Sequence, residues 1–172
     1  MITNTHSAYN AAMNKIKQIA LVAHDNRKKD LIEWVEYNWK ILLSHDLYCT
    51  GTTGNMVEEA IKTKIIKETD LDNYNNGNLN LVKLKSGPLG GDQQLGALIS
   101  EGKIDLMIFL WDPMEPQPHD VDVKALARIA VLYNIPIANN RATADFLVSS
   151  PLFNSNYRPI IKNYSEYINR KL

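Results

Sequence analysis

The chain holds one cysteine, Cys49, in 172 residues. A single thiol closes no internal disulfide, which favours a reducing compartment, and no C-x-x-C or H-x-x-H spacing points to zinc. An excess of charge of either sign is also missing, because Lys plus Arg and Asp plus Glu are 19 each. A general nucleic-acid or membrane-surface binder carries a basic excess, so neither partner is expected. No stretch approaches the roughly 18 apolar residues of a membrane span. The polar segment 1–14 lacks the apolar centre of a secretory leader. There is no G-x-G-x-x-G, no Walker A loop and no G-x-S-x-G elbow. What is left is a soluble cytoplasmic protein. Its 172 residues fit one domain with its own core, led in by a loosely ordered segment 1–14.

What is present alternates in period. Ile16–Ala23 is mostly apolar, as a buried parallel strand should be, and it stops at the polar turn His24-Asp25-Asn26. From Arg27, Leu31, Trp34, Val35, Trp39 and Leu42 recur at helical spacing. Asp46–Thr50 is a short strand leading into Gly51-Thr52-Thr53-Gly54, with a helix expected from about Asn55. Residues 63–80 turn polar and Asn-rich and are expected to form a surface excursion, since Asn and Gly adopt turns cheaply. Leu81–Leu84 is the next strand, and Gly102 stops the helix whose apolar spacing is set by Leu95, Leu98 and Ile99. Leu106–Trp111 is a strongly apolar strand, followed by a Pro-rich loop with His119, Asp120 and Asp122. A helix around Leu126–Tyr133, a strand Ile135–Ala138 and a helix Ala142–Ser149 come next. Arg158–Lys162 suggests a last edge strand and Tyr164–Arg170 a terminal helix. Strands alternating with helices predict a doubly wound, Rossmann-like parallel sheet covered on both faces.

In such sheets ligands bind outside the carboxyl ends of the strands. The polar groups of interest cluster there: His24, then Thr50–Thr53, then Ser86–Asp92, then Asp112–Asp122. The stretch Ser86-Gly87-Pro88-Leu89-Gly90-Gly91-Asp92 runs straight into a helix, so free N–H groups and a helix dipole meet at one spot that suits phosphate. Asp92 stands at that spot. It is either an ordinary helix cap worth about 1 kcal/mol or a base beside a bound phosphate. The dipole favours the ionised carboxylate and so weakens it as a base; substrate closure would have to strip water from it. Taken alone, Gly51–Gly54 reads as a Thr-capped turn before it reads as a phosphate cradle, and Lys28 as a solvated lysine before a supporting cation. Asp112, His119 and His24 each have a plain alternative as turn, surface or core groups, and Cys49 inside its strand reads as buried. Together they outline a small phosphorylated ligand ringed by carboxylates and a histidine, a set suited to proton abstraction beside a carbonyl.

Val22–Asp25, Thr50–Gly54, Ser86–Gln94, Trp111–Pro113, Pro118–Asp120 and Asn139–Asp145 together resemble the methylglyoxal synthase family, in order, across nearly all of 16–150. The resemblance implies a lyase that converts dihydroxyacetone phosphate to methylglyoxal and inorganic phosphate, in a bypass of lower glycolysis. It implies neither metal nor cofactor, phosphate as product and inhibitor, and a homohexamer. It places the general base at Asp92, further active-site carboxylates at Asp112 and Asp122, and the proton-shuttling histidine at His119. Phosphate binding falls on Lys28, Thr50, Thr52, Thr53, Ser86 and Gly87, with His24 lining the site. Arg170 is the candidate for a C-terminal arginine that some members send into a neighbouring subunit, although its spacing after Tyr167 is shifted. The segment 63–80 is an insertion relative to the family pattern. Two other functions fit the same fold. A non-catalytic effector-binding module, like the regulatory domain of carbamoyl phosphate synthetase, would lack the carboxylates kept here. A phosphosugar isomerase would share the enediolate but return a phosphorylated product.

Overall fold

The computed structural model describes residues 16–68, 79–114, 120–157, 159–164 and 169, with backbone alone at 120–122. Five strands, β1 (Gln18–Ala23), β2 (Asp46–Cys49), β3 (Asn80–Lys83), β4 (Leu106–Leu110) and β5 (Ile137–Ala138), form one parallel sheet in the order β3-β2-β1-β4-β5. The helices are α1 (Lys28–Leu42), α2 (Gly51–Glu68), α3 (Gly91–Ser100), α4 (Asp120–Leu132) and α5 (Arg141–Ser149).

Period-two alternation along the central strands feeds two cores. Ile19 and Leu21 of β1, with Leu106, Ile108 and Leu110 of β4, join α1, α2 and α5 on one face. Ala20 and Val22, with Met107 and Phe109, join Leu95, Ile99, Leu126 and Ala130 of α3 and α4 on the other. The chain winds outward from β1 to β3, then crosses to β4 on the far side. The order therefore reverses between β1 and β4, and a crevice opens at their carboxyl ends.

Several boundaries differ from the sequence expectation. Helix α2 starts at Gly51 rather than near Asn55, and it continues through 63–68, which were expected to leave the fold as an excursion. Ile65 is buried, and Lys64 pairs with Glu68 one turn on, so the segment has a helical role despite its polarity. At its far end Leu79 packs against the core and Asn80 already belongs to β3, while 69–78 lie outside the described residues, as do the lead-in, residues 115–119 and Arg170. The expected edge strand over 158–162 does not form: 159–162 have no regular structure, and Ile160 O accepts from Asn134 Nδ2 at 2.9 Å instead of joining a ladder. Tyr164 is likewise irregular, and most of the expected terminal helix lies outside the described residues. The block Asn139–Asp145 serves architecture. Asn140 caps α5 by accepting from Thr143 N at 2.8 Å, and Asp145 accepts the Trp34 indole N–H at 2.8 Å, tying α5 to α1.

At the opposite end of the sheet His45 is buried, its Nδ1 accepting the Lys17 backbone N–H at 3.1 Å and its ring edge-on to Phe153 at 5.0 Å. Burial first, and then Lys17, push its pKa below 6.5, with Asp46 opposing. The unfolded chain binds that proton more readily than the folded one, so His45 adds stability above about pH 6.5 that is lost as pH falls below it. Melting at about pH 7.5 and about pH 5.5 is expected to show a lower Tm at the acid end, and a smaller acid loss in His45→Asn. Equal losses in both proteins would exclude His45 as the cause.

Candidate active site

The crevice is a cavity of about 150 Å³, smaller than the roughly 300–1,000 Å³ of drug-sized sites and suited to a small ligand. Four strand ends build it. Val22, Ala23 and His24 come from β1, Thr50 to Thr53 from the β2–α2 junction, Ser86, Gly87 and Asp92 from the loop after β3, and Phe109 from β4. Lys28, in the first turn of α1, completes the wall.

The β2–α2 junction is drawn tight by Gly51. Its φ of +47° is a conformation that residues with a side chain seldom hold, and a Cβ there would lie 2.8 Å from Ser86 Cα. Gly51 N donates to Lys85 O at 3.0 Å, so the second and third loops are stitched together. Helix α2 consequently begins at the rim, with Thr52 and Thr53 in its first turn, where N–H groups lack intrahelical partners. Lys28 Nζ donates to Thr52 Oγ1 and pairs with Asp25, each at 2.5 Å. The Lys28 hydrogen bond and charge hold the Asp25 carboxyl below the usual carboxylate range. One cation, two threonines and the open end of a helix thus meet at one place, an arrangement whose chemistry suits an anion such as phosphate.

The third loop presents Asp92. A short 3-10 turn, Gly87–Leu89, folds back through Gly91 N to Ser86 O at 2.9 Å, and Gln94 Oε1 accepts from Lys85 N at 2.8 Å. The N-cap of α3 is Gly90, with φ +97° and no side-chain hydrogen bond. Asp92 is therefore the second residue of the helix and not its N-cap residue. Its half-buried carboxylate lies over Gly87: a Cβ there would be 2.8 Å from Asp92 Oδ2. The residue lines the same cavity as the threonines.

His24 lines the same cavity, with its ring edge-on to Phe109 at 5.5 Å. Its Nδ1 accepts the Asp112 backbone N–H at 3.3 Å, so the ring carries its proton on Nε2. The Asp112 carboxylate, expected in the site, is not among the cavity-lining groups. It accepts from Met114 N at 3.0 Å and Asn26 Nδ2 at 3.3 Å, and Arg27 lies 3.9 Å away. The Met114 N–H, then Asn26 and Arg27, hold its carboxyl below the usual carboxylate range. His119, the side chain of Asp122 and Arg170 lie outside the described residues. Val123, one residue beyond Asp122, lines the cavity. Sequence reasoning passed over Asp25, Phe109 and Val123; only Asp25, adjacent to His24 at a strand end, carried a signal that could have marked it. Cys49 is buried and its thiol is pushed up to about 12, which leaves it inert. Among the described residues no group of three or more His, Cys, Asp or Glu is placed to hold a metal ion, and no helix is long and apolar enough to cross a membrane.

Residues 30–139 match the family model of the MGS-like domain. The methylglyoxal synthase of Maridesulfovibrio salexigens is 57% identical over 160 residues, which cover 93% of this chain and all of that one. A methylglyoxal synthase of Leptospira interrogans is 51% identical over 90% of this chain and 94% of its own. The crystal structure of methylglyoxal synthase from Elizabethkingia anophelis superposes with a TM-score of 0.79 at 45% identity, covering 94% of this chain and 95% of that one. A family model spanning more than half of the sequence, and relatives this similar over nine-tenths of it, show that the chain belongs to the methylglyoxal synthase family.

Proposed function

We propose that the cavity binds dihydroxyacetone phosphate and eliminates inorganic phosphate from it to give methylglyoxal. Lys28, Thr52, Thr53 and the Gly87 N–H hold the phosphoryl group, with Thr50 and Ser86 shaping the cradle. Asp92 takes a proton from C3, leaving an enediolate across C2 and C3. His24 Nε2–H donates toward the charge on O2, and His119 moves a proton from the C3 oxygen to that on C2. The C3–O pair then closes to an aldehyde, the double bond moves to C1–C2, and the C1–O bond to phosphate breaks. The released enol gives up its O2 proton as C1 gains one to become methylglyoxal, and the proton held by Asp92 passes to the departing phosphate, so atoms and charge balance without net redox change. A pinned phosphoryl group holds the C1–O bond out of the enediolate plane, so its σ* orbital overlaps the π system. Asp122 completes the acidic wall, as the family resemblance implies. A homohexameric, cytoplasmic enzyme inhibited by its phosphate product, with Arg170 reaching a neighbouring site, belongs to the same reading.

What supports it above all is the carboxylate of Asp92 over Gly87, in one small cavity with Lys28 and the two threonines. The test is to supply dihydroxyacetone phosphate and measure free phosphate together with a dicarbonyl trapped by an aromatic diamine. Equal amounts of the two are expected. An isomerase would yield neither and convert the triose to its aldehyde isomer; a regulatory module would leave the substrate intact. Either outcome overturns the proposal.

A further inference from the structure

Two side chains of the turn between β1 and α1 reach the residue that follows the end of β4. Asn26 Nδ2 donates to Asp112 Oδ2 at 3.3 Å, and Arg27 Nη2 lies 3.9 Å from Asp112 Oδ1. Arg27 is itself aimed by Asp30, whose Oδ2 accepts from Nη1 at 3.0 Å. The Asp112 carboxylate they hold also accepts the Met114 N–H at 3.0 Å, which folds the chain after β4 into a side-chain-closed turn. At the start of that turn stands the Asp112 backbone N–H, and this is the donor that meets His24 Nδ1 at 3.3 Å. A continuous line therefore runs from Asp30 through Arg27 and Asp112 to the ring that lines the cavity.

We propose that Arg27, assisted by Asn26, is a positioning residue for the reaction: it holds the Asp112 turn so that the backbone N–H of Asp112 keeps the proton of His24 on Nε2, facing the substrate. This rests on the turnover proposed above. A ring nitrogen acts as a donor toward the substrate only when its partner nitrogen is engaged as an acceptor, and the group doing the engaging sets the tautomer. Arg27 does not line the cavity, so it acts through Asp112 and His24 and not on the substrate. The side chains of Arg27 and Asp30 are each 39% exposed, so their pairing adds little to folding. Asp112, at 12%, is far more enclosed, and what it gains from the pair is direction.

The experiment compares wild type with Arg27→Ala, Arg27→Lys and the double variant Asn26→Ala/Arg27→Ala, each labelled with 15N-histidine and assigned through His24→Asn. In the free protein, His24 of the wild type is expected to give the Nε2–H pattern, and the alanine variants a mixture of both tautomers. Steady-state phosphate release is expected to lose about tenfold in kcat with KM within about twofold, the size seen when a supporting shell is removed. Arg27→Lys keeps the charge without the fork and restores part of kcat. The melting temperature is expected to stay near wild type in all of them. An unchanged Nε2–H pattern in both alanine variants would overturn the proposal, as would a rise in KM at constant kcat, which would make Arg27 a substrate-binding residue. Because the histidine spectrum is read without substrate, it judges the positioning even if wild type releases no phosphate, an outcome that would sink only the proposed reaction.

Discussion

Asp92→Asn is expected to lose about 10³-fold or more in kcat, near the upper range for removing a general base, while inorganic phosphate still raises the melting temperature. The two halves of this expectation separate chemistry from binding. Lys28, Thr52 and Thr53 stand on the β1 and β2 side of the crevice, and Asp92 approaches from the loop after β3. The carboxamide keeps the size and one acceptor oxygen of the carboxylate but cannot take a proton at C3. Phosphate binding is expected to be spared, because the groups proposed to hold it are untouched. Wild-type turnover in this variant would remove Asp92 from the mechanism. Loss of phosphate protection together with activity would instead make it part of the cradle.

Gly87→Ala is the second large effect, and it reaches Asp92 by geometry alone. The added methyl would sit 2.8 Å from Asp92 Oδ2, closer than two such atoms can rest. The object it meets is the tip of a side chain, so the fold escapes the clash by turning the carboxylate. That escape moves the base. A displacement of about 1 Å at a reacting group costs about 10²-fold in rate, and a loss of that size in kcat is expected with little change in melting temperature. Wild-type kcat in Gly87→Ala would mean that Asp92 need not lie where the loop puts it.

The parts of the fold that were legible in the sequence are those in which a local pattern and the tertiary environment agree. β1 and β4 are buried on both faces, so their residues read as continuous apolar runs, and the stripe Leu31, Trp34, Val35, Trp39, Leu42 of α1 marks the side that meets the sheet. The beginning of α2 was not legible, because Gly51-Thr52-Thr53-Gly54 has poor helix propensity. What makes it helical is remote: the Gly51 N–H hooks onto Lys85 O in the next loop. Residues 63–68 hide their helix behind polarity for a similar reason, with only Ile65 turned inward. Ile160 and Ile161 suggested an edge strand, yet a side chain from Asn134 takes the carbonyl that a ladder would use.

In the site, the strand-end positions of His24, Thr50–Thr53 and Ser86–Asp92 follow from the alternation of strands and helices, and the cavity gathers them. The direction of Asp112 does not follow from any local pattern. It depends on Asn26 and Arg27, which stand 86 and 85 residues earlier and approach only because β1 and β4 are neighbours. Adjacent strands in space, remote in sequence, decide where that carboxylate points.

The central claim is a shared geometry: a phosphoryl group pinned by Lys28, Thr52 and Thr53 while the side chain at position 92 reaches the far carbon of the triose. It is tested most directly by the crystal structure of Asp92→Asn with dihydroxyacetone phosphate bound. The predicted result is a phosphoryl group against the first turn of α2 and the Lys28 ammonium, with C3 about 3–3.5 Å from the position-92 side chain. A triose bound with its phosphoryl group elsewhere, or with C3 beyond the reach of that side chain, would contradict the account.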